Sequence, residues 1–408
     1  MKLHESLFSG FKDGQWRRPE LLLLLMAAAS PISFASWQTL LDNFAIHEAA
    51  FGGREIGILQ SLREVPGFLA FAVVWVLLVM REQTLAYASL MLLGIGTALT
   101  GWFPNVLGLY ITTVLMSVGF HYYETVANSL ALQWIDKSEA PRVLGKLLAA
   151  GSAAAVFTFC LVWLVFEAFE LGYVWTYMAG GGITFAIGLF CWLSFPRFAS
   201  KVTQRKHMVL RKRYWLYYAL TFLSGARRQI FVVFAGFLLV QKFDYDVATI
   251  TALFLLNAVI NIFLAPLVGR LIGHFGERRA LIFEYIGLIG VFLAYAVVES
   301  AFVAGALYVI DHLFFALAIA MRTYFQKIAD PADIASTAGV AFTINHIAAV
   351  LLPAAYGLLW LVSPALVFLS GAVLATMSLV LAILVPRDPE PGSEVWLEFG
   401  SPGARVPA

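Results

Sequence analysis

The sequence predicts an all-α polytopic membrane protein with twelve transmembrane helices in two pseudo-symmetric six-helix bundles. Three observations predict it. Hydrophobic residues make up 61% of the 408, charged residues only 13%, and the mean hydropathy is +0.83. A soluble domain averages about 25% charged residues, and a chain this apolar could not cover its surface in water, so its main solvent is lipid. Long apolar runs recur along the whole chain, many near the ~20 residues that cross a hydrocarbon core. A basic stretch without an acid interrupts them at mid-chain, carrying Arg197, Lys201, Arg205, Lys206, Arg211, Lys212 and Arg213.

Taken in order, residues 1–19 form a cytoplasmic N-terminus. The first apolar run imitates a signal peptide, with RRPE, LLLLLM and AAASP in succession. It continues past Pro31 to about Ile46, long enough to span, and is read as a retained helix. The spans are drawn at 20–46, 54–80, 84–103, 105–134, 142–168 and 173–195, then 214–241, 247–273, 278–299, 301–326, 333–360 and 363–386. Loops rich in Gly, Pro or charge separate most of them, among them FGGRE, DKSEAPR, KFDYD, GERR and ADPAD. The domains are therefore an N-terminal bundle at 20–195, a basic linker at 196–213, a C-terminal bundle at 214–386 and a disordered tail at 387–408.

Orientation follows from Lys and Arg, which gather on cytoplasmic loops. With the linker inside, 22 of the 27 fall on that side, and only Arg54 and Lys242 fall outside. Arg63, Arg227 and Arg228 lie within spans. This bias places both termini in the cytoplasm and the protein in the plasma (inner) membrane. The basic linker is explained by topology rather than by nucleic acid, since it is poor in aromatics.

The halves resemble each other at an offset of 194 residues. Asp136 then meets Asp330, Glu139 meets Asp333, Gly145 meets Gly339, Ile56 meets Ile250 and Gly96 meets Gly290. Ala153–Val156 meets Ile347–Val350 at the same offset. Repeats of this kind mark carriers that rock two bundles around a midplane site.

Two six-span halves joined by a basic cytoplasmic loop resemble the major facilitator superfamily. The second-half loop carries Gly269, Gly273, His274, Gly276, Glu277, Arg278 and Arg279, close to that family's Gly-x-x-x-Asp-Arg-x-Gly-Arg-Arg pattern. Gly269, Gly276, Arg278 and Arg279 match, whereas Gly273 stands for the usual Asp and His274 for the usual Arg. The first-half copy keeps little beyond Arg81. The resemblance implies alternating access, gating by Gly269, Gly276, Arg278 and Arg279, and a central cavity lined by the first, fourth, seventh and tenth spans.

Ionisable groups in a bilayer core are costly, so each one inside a span is a candidate for function. In span seven, Arg227 is the anion-binding choice, with Phe231 on its face, because adjacent helical residues point about 100° apart and Arg228 cannot share its direction. A salt bridge is the bland alternative for Arg227. In span four, His121, Glu124 and Asn128 share a face at i, i+3 and i+7. A desolvated Glu124 would take up a proton near neutral pH. Asp311 of span ten is the second proton-coupling candidate. Arg63 and Glu64, beside Pro66-Gly67, read as a gate or local pair. Asn257 and Asn261 form a polar i, i+4 stripe in span eight that serves either the solute or helix packing. Mid-membrane charge sets three arginines against Glu64, Glu124, Asp311 and Glu284, which favours an anionic or zwitterionic solute.

The two cysteines, Cys160 and Cys191, form neither a disulfide framework nor a metal motif. No HExxH, Walker loop, GxSxG or EF-hand pattern occurs, so no enzyme, cofactor or metal is expected. The expected function is secondary active transport of a small organic solute, coupled to protons, with sodium as the open alternative. The expected partners are the solute, the ion and the bilayer, with a monomer as the default. The competing readings are a non-transporting assembly factor or receptor on the same fold and a drug or lipid exporter. Span five reads GKLLAAGSAAAVF and lacks the glycine-proline pattern of many drug antiporters in the resembled family.

Overall fold

The computed structural model describes residues 16–135, 140–198, 210–330 and 333–396. Among them the only β contact is an isolated bridge between Glu390 and Ser393. In the first half the helices are α1 (Pro19–Asn43), α2 (Gly53–Phe68), α3 (Val73–Val76), α4 (Glu82–Thr100), α5 (Val106–Trp134), α6 (Ala140–Ala168) and α7 (Tyr173–Ser194). The second half holds α8 (Trp215–Gln229), α9 (Gly236–Phe243), α10 (Val247–Phe275), α11 (Glu277–Val297), α12 (Ala301–Phe315), α13 (Ile319–Ile328), α14 (Ile334–Val362) and α15 (Pro364–Ile383). Eleven helical runs among the described residues are long and apolar enough to cross a membrane. The protein is an all-α polytopic membrane protein.

The expected span at 54–80 is the one that does not run through. Helix α2 ends at Phe68, a 3₁₀ turn covers Leu69–Ala72, and α3 gives way to turns up to Met80. Pro66 lies inside the last turn of α2, where it removes a backbone donor, and the chain tightens after it. Trp75, Leu78 and Val79 on this irregular end are among the most exposed large apolar side chains. Three other spans change helical pitch without breaking, one of them through a 3₁₀ turn at Ala316–Ala318 between α12 and α13. A π-helical turn at Phe44–Glu48 follows α1, and another at Ile230–Ala235 joins α8 to α9.

The chain divides into two compact units. Unit 1 contains Met1–Arg205, Gly236–Val259 and Pro353–Leu361, and unit 2 contains Lys206–Ala235, Ile260–Leu352 and Val362–Ala408. The expected linker at 196–213 lies mostly outside the described residues. Helix α9, the start of α10 and the last turns of α14 group with the first half. Glycine explains part of this. A side chain at Gly57 would collide with the Pro353 carbonyl and with Gly357, so bare backbone lets α2 and α14 touch. Beside the Pro353 interruption the Ala354 N–H donates to Ser61 Oγ at 2.9 Å. Elsewhere in unit 1, α4 packs on α5 and α7, and α1 on α6 and α7.

In unit 2, α11 packs against α15 and α12, and α15 against α8. One end of this unit is tied together by polar contacts. Arg211 grips Asp333 with Nη2 at 3.1 Å from Oδ1 and Nε at 3.1 Å from Oδ2. Tyr214 OH donates to Asp333 Oδ2 at 3.2 Å and accepts from the Asp330 N–H at 3.0 Å. The Arg211 hydrogen bonds, opposed by partial burial, hold Asp333 below the usual carboxylate range. Lys327 pairs with Glu277 at 2.8 Å.

The tail departs from expectation. Residues 387–396 return to unit 2 and are ordered by specific contacts, while 397–408 lie outside the described residues. The Trp396 N–H donates to the Leu384 carbonyl at 2.7 Å. The Arg278 guanidinium stacks 4.5 Å from the Trp396 ring. Tyr324 OH donates to the Glu394 carbonyl at 2.5 Å, and Arg213 lies 4.0 Å from the Glu394 carboxylate. A Pro- and Gly-rich segment has little intrinsic structure, and here one aromatic ring and a few polar contacts supply the anchor.

Candidate functional site

The gate candidates of unit 1 form a local ion pair. Arg63 and Glu64 are 7% and 9% exposed, and Arg63 Nε lies 3.1 Å from Glu64 Oε1. The guanidinium also sits 5.8 Å from the Trp37 ring. Ser117 Oγ donates to the Arg63 carbonyl, which ties α2 to α5. His121 is buried one turn further along α5, its Nδ1 3.0 Å from Ser117 Oγ and 3.1 Å from the Ser117 carbonyl oxygen.

Spacing put His121, Glu124 and Asn128 on one face, but their surroundings differ. His121 is buried, whereas Glu124 and Asn128 are exposed. The desolvation expected to raise the proton affinity of Glu124 is therefore not supplied by protein packing, and that part of the expectation is corrected. Glu124 lies ten residues before Trp134, about 15 Å along α5 and so near mid-span.

The two arginines of span seven divide in the same way. Arg227 is 4% exposed and faces the interior of unit 2. Its Nη2 lies 3.6 Å from Glu284 Oε1 on α11, and its guanidinium stacks 4.5 Å over the Tyr285 ring. Arg228 is exposed, with its guanidinium 5.4 Å from the Phe315 ring. Arg227 therefore takes the salt bridge given above as its alternative, and the exposed guanidinium of the two is Arg228. Their 100° separation was legible from sequence, but which direction faced the interior was not. Arg228 lies 16 residues after Lys212, about 24 Å along the helical run, and so near its middle.

Phe231, expected beside the solute, is 4% exposed and is used up in packing. Its ring stacks on Tyr308 at 5.1 Å and meets Tyr295 and His312 edge-on at 5.9 and 5.5 Å. Asp311 is buried at 4% exposure, within Coulombic range of Arg227 and Glu284. Glu284, on the same cluster, was legible only as a lone acid in an apolar run. The asparagine stripe splits: Asn257 is buried, with neither side-chain atom hydrogen-bonded among the described residues, and Asn261 is exposed.

The motif loop also separates into roles. Gly276 has φ of +83°, a left-handed conformation that suits glycine, and it starts α11. Gly269 has open space where a Cβ would stand, so close packing is not what it provides. Arg278 holds Trp396, and Arg279 is exposed.

Known proteins agree with this architecture. No curated protein sequence matches this chain. The family model for the Major Facilitator Superfamily matches residues 21–353. Among solved structures, a point mutant of the nucleoside transporter NupG is similar at a TM-score of 0.75 and 15% identity, over 90% of this chain and 99% of that one. A bacterial homologue of the human lysosomal transporter Spinster, inward-facing and unoccupied, is similar at a TM-score of 0.71 and 14% identity, over 94% and 98%. An auto-inhibited POT family peptide transporter is similar at a TM-score of 0.64 and 13% identity, over 90% and 95%. At these identities the structures speak for the fold alone, while the family match covers most of the chain. The chain belongs to the Major Facilitator Superfamily and is a secondary-active, alternating-access carrier of a small solute rather than an enzyme.

Proposed function

We propose that the solute is a small organic anion or zwitterion and that its movement is coupled to protons. The observation that carries this reading is the exposure of charged groups at mid-span. Arg228 and Asn261 on unit 2 and Glu124 and Asn128 on unit 1 are uncovered by protein. An ionisable side chain facing hydrocarbon costs about 2.5–3.5 kcal/mol, so the faces bearing Arg228 and Glu124 meet water. A guanidinium fork in such a place suits a carboxylate, phosphate or sulfate. The exposed acid suits an amino group on the same solute or a proton. The ion pairs buried on both sides, Arg63–Glu64 and Arg227–Glu284, lie inside unit 1 and unit 2 respectively.

The topology that accompanies this reading has twelve spans in two six-helix bundles, with α2 and α3 together serving as the second. Both termini are cytoplasmic in the plasma membrane, supported by the 22 of 27 basic residues on one side. Gly276, Arg278 and Arg279 act at the cytoplasmic gate.

A pH-jump assay in sealed proteoliposomes tests the reading. Small organic anions, amino acids and cationic drugs are added one at a time, with a pH dye inside. Proton movement should follow addition of an anionic or zwitterionic solute and be lost in Arg228→Gln and Glu124→Gln. Uptake without proton movement would remove the coupling, and a response confined to cationic drugs would remove the solute class.

A further inference from the structure

The broken end of the second span borders a cleft of about 590 Å³ within unit 1. Residues 77–84 line it, with Gln133 and Trp134 at the end of α5 and Arg197 and Phe198 just after α7. Helices α4, α5 and α7 are each long and apolar enough to cross the membrane, and the cleft lies at their ends. That is the level at which lipid headgroups meet a spanning helix.

Two cations line the cleft. Arg81 and Arg197 are both exposed, and the side chain of neither forms an ion pair or hydrogen bond among the described residues. Glu82 is the one acid among the lining residues, and its carboxylate is committed to α5. It accepts from Gln133 Nε2 at 2.6 Å and from Ser129 Oγ at 3.2 Å. The chain beside Arg197 is held in place. Gln83 is 8% exposed, donates through Nε2 to the Pro196 carbonyl at 2.9 Å and accepts through Oε1 from the Phe198 N–H at 2.9 Å. The Phe198 ring meets Trp134 edge-on at 5.2 Å. These contacts fix the backbone on both sides of Arg197 and keep its guanidinium at the same cleft as Arg81. The other half of the cleft is apolar: Leu78 and Val79 are 79% and 88% exposed.

We propose that this cleft binds an anionic phospholipid, its phosphate bridging Arg81 and Arg197 and its acyl chains covering Leu78 and Val79. Two guanidinium forks suit the oxygens of one phosphate, and basic clefts at helix ends recognise acidic headgroups. A soluble phosphate would use the arginines and leave the apolar half bare, whereas a lipid uses both halves. The lipid takes the place of the helix that the second span lacks at residues 77–80. Gln83 is the positioning residue, acting on the headgroup through Arg197.

Native mass spectrometry of the detergent-solubilised full-length protein tests this without any solute. The protein is titrated with phosphatidylglycerol or with phosphatidylcholine of the same acyl chains. Wild type should prefer phosphatidylglycerol. Arg81→Gln/Arg197→Gln should lower that affinity roughly 30-fold, about fivefold for each arginine, and remove the preference. Arg270→Gln/Arg322→Gln takes the same charge from exposed positions away from the cleft and should leave binding unchanged. Gln83→Ala keeps both charges but releases Arg197, so it should also weaken phosphatidylglycerol binding. All four arginines are exposed, so both double variants should keep the wild-type thermal midpoint; if Gln83→Ala does not, the two arginine pairs decide. Equal losses in the two arginine pairs would mean general charge attraction, and displacement of the lipid by inorganic phosphate would mean a free-anion site. Either result overturns the proposal, as does equal binding of the two lipids by wild type.

Discussion

Each unit encloses an arginine, and the two enclosures are built differently. In unit 1, Arg63 pairs with its own neighbour in sequence, Glu64, so the charge is balanced inside one turn of α2. In unit 2, Arg227 reaches a different helix to find Glu284, and a second acid, Asp311, is buried on α12. The first arrangement sets one cation against one acid on the same helix, with His121 of α5 close to the Glu64 carboxylate. The second depends on α8 and α11 staying together. A pair made by sequence neighbours holds one helix turn, and a pair made between α8 and α11 ties two helices together.

Substitutions separate these two characters. Arg227→Leu should have the largest effect, because it leaves two enclosed acids with no cation. Breaking a buried pair costs about 3–5 kcal/mol, and the loss should appear as a lower thermal midpoint in detergent. An unchanged midpoint would mean that Arg227 is not the counter-charge. Arg63→Ala should cost less, toward about 3 kcal/mol, since both members of its pair keep some exposure. The double change Arg63→Ala/Glu64→Ala should recover most of that loss, because no charge is left alone. Arg227→Leu/Glu284→Leu should not recover fully, because Asp311 remains. Equal recovery in the two double variants would erase the contrast between the units.

The tail contacts are a smaller term. Trp396→Ala removes one cation–π contact, for which about 0.5–1 kcal/mol is the usual scale at a partly exposed site. Trypsin should then cut at Arg387 faster than in wild type while the global midpoint hardly moves. Unchanged cleavage would show that Trp396 does not hold the tail. The smallest effect concerns acid. Arg211 depresses the Asp333 titration, so the contribution of Asp333 is present above its unfolded value and fades as pH falls through the folded one. The midpoint difference between wild type and Asp333→Asn should be flat above about pH 4 and close below it. A difference that closes near neutral pH would mean another group controls this end of unit 2.

Much of the site was legible only as a list of residue types. That Arg227 and Arg228 point apart follows from helical geometry, but choosing the outward one needed the position of Tyr285 and Glu284 on α11. His121 and Glu124 share a helical stripe, yet Ser117 anchors one inside while the other is left exposed. Phe231 looked like a ligand contact until Tyr295, Tyr308 and His312 were seen around it. Spacing along one helix cannot report what a second helix places opposite.

By itself the sequence determined that this is a polytopic helical protein, where nearly every span begins and ends, and which residues bear the unusual charges. Those properties depend on local composition and on the cost of placing polar groups in lipid, which each segment bears alone. Tertiary structure decided the rest: the broken end of the second span, the return of the tail through Trp396, the burial of Arg227 beside an exposed Arg228, and the pairing of Arg227 with Glu284. Each of these depends on which helix lies against which, and apolar helices of similar length contain too little information, taken one at a time, to specify it.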